Sequence, residues 1–216
     1  MILQLVKKDF LIAKKMIFII LAIVCIIPPF FLWTAPELAQ WGIIPFLYMV
    51  ILGELIIFQM LFQLEGKNPK AEALLCAAPY PRSAFAAEKY VLFLLIFAYC
   101  YFVHTIEMVL FNPAGLLDLL DVLAVLFLAV IIFCIYLPLE FKYGIIKIRF
   151  FYMTIVIVLS IGPSVFAKIF ANSTVNLAAF ASIPSFALGL VLAVASILIF
   201  GISLAISIGI YEKKEL

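Results

Sequence analysis

Apolar residues run along this chain in long, nearly unbroken stretches, and charge collects with Pro, Asn and Gly in the short segments between them. Six stretches stand out, at about 17–34, 42–63, 90–111, 122–141, 150–171 and 186–210. A helix rises about 1.5 Å per residue, so roughly 20 residues cross about 30 Å of hydrocarbon. Lipid offers backbone groups no partner, and an open sheet edge cannot survive there, so the stretches predict helices. The pattern predicts an all-α polytopic membrane protein with six transmembrane helices in a single domain covering residues 1–216.

The polar intervals have their own patterns. In "MILQLVKKDFLIAKKMIF", Leu3, Val6 and Phe10 recur at helical spacing among Lys7, Lys8 and Lys14. Residues 1–16 are therefore expected to form an interfacial helix before the first span. Charge continues to Lys15 and the apolar run that follows is long enough to span, so this segment reads as an uncleaved start and not a signal peptide. The interval 64–89 is longer than an ordinary helical connection. Within it Asn68 suits an N-cap and Pro69 a first helical position. Ala71, Leu74, Leu75 and Ala78 then fall on one face of a short helix, which Pro79 ends and Arg82 follows. That apolar face, with nothing in its own chain obliged to cover it, predicts a docking element. The segment "NSTVNLAAFASIPSF" is mildly polar, and residues 172–185 are open to reading as an outer loop or a re-entrant segment.

Composition narrows the class. Hydrophobic residues make up 69% and charged residues 12%, the latter about half the globular norm of roughly 25%. A net charge of +2 gives no basic face for nucleic acid. With six spans both termini share a side, and that side receives Lys7, Lys8, Lys14, Lys15, Lys67, Lys70, Arg82, Lys89, Lys142, Lys147, Arg149, Lys213 and Lys214, leaving only Lys168 of the 14 basic residues for the other. The positive-inside rule then puts both ends in the cytoplasm; removing one span would scatter the basic loops to both faces. Cys25, Cys100 and Cys134 lie in spans, Cys76 lies in the 64–89 interval, and no C-x-x-C occurs, so packing is expected of them and not a disulfide or metal site.

Polar groups inside spans are costly and point to function. Glu54 lies near the middle of span two, while His104 and Glu107 share a face of span three. Glu54 and His104 differ in depth by about 7–8 Å at 1.5 Å per residue, close enough to interact directly or through water. Glu54 is either a structural anchor or a group facing a transport route. A lone histidine with Glu107 is poor material for a metal site. Glu140 beside Lys142 reads as a boundary ion pair. Gly201, Ala205 and Gly209 form a small-xxx-small line on the last span, repeated by Gly189 and Ala193; such a line packs a helix within one subunit or at a dimer seam. Pro28, Pro29, Pro138 and Pro163 predict local breaks, with Pro28-Pro29 the main site of unwinding.

Glu65, Lys67, the helix Ala71–Ala78, Pro79, Arg82 and the pair Lys89-Tyr90 resemble the first cytoplasmic loop of small ABC-2 type transporter permeases from bacteria. "LPLEFKYGIIKIRF" and the opening "LVKKDF" are similar to further parts of that family, and the resemblance covers most of the chain. "AAPYPR" departs from the usual hydroxyl before Leu-Pro and adds a second proline. The resemblance implies that Ala71, Leu74, Leu75 and Ala78, followed by Arg82, form a coupling helix seated in a cleft of a separate ATPase subunit. It further implies pairing with a second copy or a sister permease in the bacterial cytoplasmic membrane, and a substrate route near the seam. "LEGKNPK" has no glycine five positions before its Gly-Lys, so there is no Walker A loop there, no cofactor is expected on this chain, and ATP and Mg belong to the partner. The apolar spans fit a hydrophobic or amphipathic substrate, such as a peptide, an antibiotic or a lipid-like molecule. Two other classes stay open: a non-transporting immunity or scaffold protein, and an intramembrane enzyme, for which one His and isolated acids are poor material.

Overall fold

The computed structural model describes residues 2–34, 42–67, 82–112, 116–144, 147–148, 150–158 and 185–213. Helices α1 (Ile2–Ile12), α2 (Lys14–Val24), α3 (Ile27–Thr34), α4 (Ile43–Lys67), α5 (Arg82–Phe111), α6 (Leu119–Tyr143) and α7 (Ser185–Glu212) follow one another in the chain. Residues 147–148 and 150–158 are helical as well, and no strand occurs among the described residues. Four helices are long and apolar enough to cross a membrane, namely those over Ile43–Gly66, Ser83–Phe111, Leu119–Tyr143 and Phe186–Glu212. A fifth span is available if Gln4–Leu11 and Lys14–Phe30, which meet at 85°, are taken as one broken element. The described residues stop short of the expected six: most of the stretch 150–171 lies outside them, as do Ala71–Ala78, Cys76, Pro163, Lys168 and residues 172–184.

Helix ends follow local chemistry. Asp118 opens α6, its carboxylate accepting from the Leu119 N–H at 2.8 Å while Asp121 reaches back to the Asp118 N–H at 3.2 Å. Gly144 closes it with φ of 73°, a conformation suited to glycine, and its N–H bonds Glu140 O at 2.9 Å. The break expected at Pro28-Pro29 lies two residues earlier, at Cys25–Ile26. Both prolines sit in the first turn of α3, where a missing N–H costs nothing. Pro138 does not break α6, contrary to expectation. Its ring removes the N–H that would bond Cys134 O, and the Ser203 hydroxyl of α7 donates to that carbonyl at 2.7 Å instead.

Packing is built around α5, which meets α1, α4 and α7, while α6 lies along both α7 and α4. Phe58, Phe93 and Phe133 bring α4, α5 and α6 together, with ring centroids 5.3 Å apart for Phe58–Phe133 and 5.2 Å for Phe93–Phe133. At one end of the bundle Phe141 meets Phe62 at 6.0 Å and Tyr211 at 5.6 Å, and Tyr211 stacks on Phe85. This end gathers the close of α4, the start of α5 and the closes of α6 and α7. It also carries Lys8, Lys89 and Lys142, and we refer to it as the basic end. The buried stripe of α1 is Leu5, Val6 and Asp9, continued by Ala13 just past its end. Val6 belongs to the expected apolar line and Phe10 lies at its margin, so the helix is turned to bring Asp9 inward.

Candidate functional site

α5 has 30 residues and runs about 45 Å, longer than the hydrocarbon is thick. Its second turn carries Glu88 and Lys89 to the place where α4 ends and α1 crosses. The Lys89 Nζ donates to Asp9 Oδ2 at 2.7 Å and to Glu65 Oε1 at 2.6 Å, and lies 3.4 Å from Glu88 Oε1. The Lys8 Nζ adds a second cation, 3.2 Å from Asp9 Oδ1 and 3.8 Å from Glu88 Oε1. Lys89 also lies 5.5 Å above the Phe62 ring. Asp9, Glu88 and Lys89 are each 2% exposed or less. Their mutual attraction in this dry setting has to offset a large desolvation cost, which is why so many partners converge. The three carboxylates lie within 4.8 Å of one another, and the ammonium of Lys89 is the cation they share.

The cluster ties three pieces of chain. Asp9 and Lys8 come from α1, Glu65 from the last turn of α4, and Glu88 and Lys89 from α5. The Glu65–Lys89 bridge therefore closes the base of the interval 64–89. Ala71, Leu74, Leu75 and Ala78 lie outside the described residues, and Arg82 opens α5.

The intramembrane candidates form a second region. Glu54 is fully buried, and neither carboxylate oxygen has a hydrogen-bond partner among the described residues. His104 is 1% exposed with both ring nitrogens likewise unpartnered, its ring 5.2 Å from that of Phe46. Glu107 is half-buried, with Oε2 unpartnered. The α4–α5 pairing sets Phe46 against His104 and Gly53 against Cys100, whose Sγ would lie 3.8 Å from a Cβ there. Glu54 thus sits near the level of Cys100, about one helical turn from His104, and no hydrogen bond joins them.

One further expectation changes. Glu140 is buried and takes a hydrogen bond from the Tyr136 hydroxyl, while Lys142 is exposed with its ammonium 5.2 Å over the Tyr143 ring. Residues two apart point to different sides of a helix, so the expected Glu140–Lys142 pair does not form. On α7, a Cβ added at Gly189 would lie 3.5 Å from Leu123 of α6. Gly201 and Ala205 are exposed, and a Cβ added at Gly201 or Gly209 would meet nothing within 4 Å among the described residues.

Asp9 and Glu88 were not singled out by the sequence pattern, and Lys8 entered only as one of the basic residues near the start. A signal was present: Asp9 falls in register with Leu5 and Ala13 on one helix face, and Glu88-Lys89 adjoins the edge of a span.

No curated protein and no solved structure matches the chain. Residues 4–212 match the family described as ABC-2 family transporter protein, a match that takes in nearly all of α1, the ion cluster and all of α7. By this match over almost its whole length, the chain belongs to the ABC-2 transporter family, as a multi-pass membrane component and not a catalytic one.

Proposed function

We propose that this chain is the permease subunit of an ATP-driven exporter, with a separate ATPase subunit docked on Ala71, Leu74, Leu75 and Ala78. ATP and Mg would bind on that subunit, both termini and residues 64–89 would face the cytoplasm, and α1 would lie in the interface. The permease would act with a second copy or a sister chain. Its substrate would be a hydrophobic or amphipathic molecule leaving the cell, with Glu54, His104 and Glu107 as candidates for the route.

The Glu65–Lys89–Asp9 bridge carries this reading. A connection that only had to link two helices would not need a buried ion cluster at its base. A connection that receives force does, because the bridge makes the ends of α4 and α5 and the helix α1 move as one piece. The test is co-purification with an ABC-type ATPase subunit from the same cell, followed by substrate-stimulated ATP hydrolysis in lipid. Stable association and stimulation support the exporter. A permease that recovers alone and stimulates no hydrolysis would leave the non-transporting scaffold instead.

A further inference from the structure

Tyr90, next to the ion cluster on α5, is 2% exposed and its hydroxyl lies 2.7 Å from both Ser203 Oγ and Ser207 Oγ of α7. The direction of each bond can be worked out. A hydroxyl has one proton to give. Ser203 gives its proton to Cys134 O, at 2.7 Å. It must therefore accept from Tyr90, and Tyr90, with its proton spent, must accept from Ser207. The chain runs Ser207 to Tyr90 to Ser203 to Cys134 O and crosses α5, α6 and α7. Its terminus is the one carbonyl of α6 that Pro138 deprives of a backbone donor.

We infer that Pro138 is a hinge in α6 and that the Ser207–Tyr90–Ser203 relay is the latch that holds it. The dipeptide Lys89-Tyr90 connects the latch to the base of the interval 64–89. Lys89 faces the ion cluster, and Tyr90, one residue on, faces the relay. A displacement of the first turns of α5 moves both at once. When Tyr90 shifts, Ser203 loses its donor and its position, Cys134 O loses its bond, and the segment after Pro138 is free to bend. That segment carries Phe141, which bears on Phe62 and Tyr211, so the bend opens the packing of the basic end. Tyr90, Ser203 and Pro138 are positioning residues here; none needs to touch a substrate. The latch itself stands on the described geometry. Its use in transport rests on the permease reading above.

The test uses the permease alone in lipid nanodiscs, so that it succeeds or fails whether or not an ATPase binds. Spin labels go at Gln63 and Lys142, both exposed at the basic end, in a background with the native cysteines replaced. A bend of about 20° at Pro138 over the roughly 6 Å of helix to Lys142 moves that position by about 2 Å. The unaltered permease is expected to give one narrow distance distribution. Ser203→Ala should add a population displaced by about that distance, and Tyr90→Phe a smaller one. Pro138→Ala restores the backbone donor to Cys134 O, so Pro138→Ala/Ser203→Ala should return to the narrow distribution. Glu65→Gln, which weakens the cluster at its most exposed member, should broaden the distribution with Pro138 present and leave it narrow with Pro138→Ala. If Ser203→Ala fails to insert, Tyr90→Phe and Glu65→Gln carry the same comparison. An unchanged distribution in Ser203→Ala, or a double variant as broad as the single, overturns the latch. A Glu65→Gln distribution that ignores Pro138 overturns its link to the loop.

Discussion

Glu88 and Glu54 are both carboxylates on long apolar helices, and both are buried to within 1% of complete. Their surroundings are opposite. Glu88 has one oxygen facing Lys8 and Lys89, in a cluster that joins three segments of chain. Glu54 has Cys100 in its neighbourhood and no hydrogen-bond partner among the described residues. A buried acid with matched cations acts as a staple, because removing one partner strands the others. A buried acid with no such cation among the described residues is not a staple of that kind. Substitutions at the two positions therefore separate an anchor from a group facing the route.

The largest effect is expected where the most partners are stranded. Lys89→Met leaves Asp9, Glu65 and Glu88 facing each other in a dry site, and breaking a buried pair costs about 3–5 kcal/mol. Yield in the membrane fraction and the thermal midpoint in detergent should both fall sharply. Lys89→Arg keeps the charge and should recover much of the loss. A Lys89→Met protein as stable as the parent would mean that the cluster does not hold the basic end together.

Next in size is the proposed docking face. Leu74→Asp or Leu75→Asp would place a charge in an apolar cleft of the ATPase, at a cost of several kcal/mol to the complex. The permease itself should still insert and purify. Unchanged co-purification of both variants would show that the ATPase docks elsewhere, and the base of the interval would then be a staple with no transmission to perform.

Glu54 should behave in the reverse sense to Lys89. With no partner among the described residues to strand, Glu54→Leu is expected to leave stability unchanged or raise it slightly, since replacing an unsatisfied buried polar group by an apolar one removes a penalty. Glu54→Gln should be close to neutral for assembly. If Glu54 lines the route, both should alter transport or substrate-stimulated ATP hydrolysis while the thermal midpoint holds. A drop in stability for Leu with normal transport for Gln would reverse the contrast and make Glu54 an anchor after all.

What could be read beforehand divides along the same line. Apolar run length is a local property, and it placed α4, α5, α6 and α7 within a few residues along most of their length. It understated α5, whose helix begins at Arg82 and not near 90, because Ala84, Phe85 and Ala86 pack inward against the bundle despite the charges around them. The intramembrane acids were legible because charge in lipid is rare. The ion cluster was not, since Asp9 and Lys89 are 80 residues apart and only the fold makes them neighbours. Pro138 was read as a break for the same reason: the donor that repairs it is Ser203, on another helix.

The smallest intrinsic effect is expected on the outward line of α7. Gly201 is exposed and nothing described lies within 4 Å of where its side chain would begin. In a lone subunit, Gly201→Leu should therefore add a lipid-facing side chain without a clash, and it removes a glycine from a helix interior, which by itself favours the helix by up to about 1 kcal/mol. Thermal stability of the isolated subunit should rise slightly or stay level. If a second copy or a sister permease packs its backbone on Gly201, Ala205 and Gly209, the same change wedges the two apart. The measurement is a pair of readouts on one variant: the thermal midpoint of the subunit, and the fraction recovered as a cross-linked pair from membranes bearing a cysteine at Ile202. A level midpoint with a lost pair would place the seam on this face of α7. A level midpoint with an intact pair would leave the face to lipid and move the seam to another helix. A fall in the midpoint would mean that part of the same chain covers Gly201, and the line would then join the cluster at the basic end as internal packing.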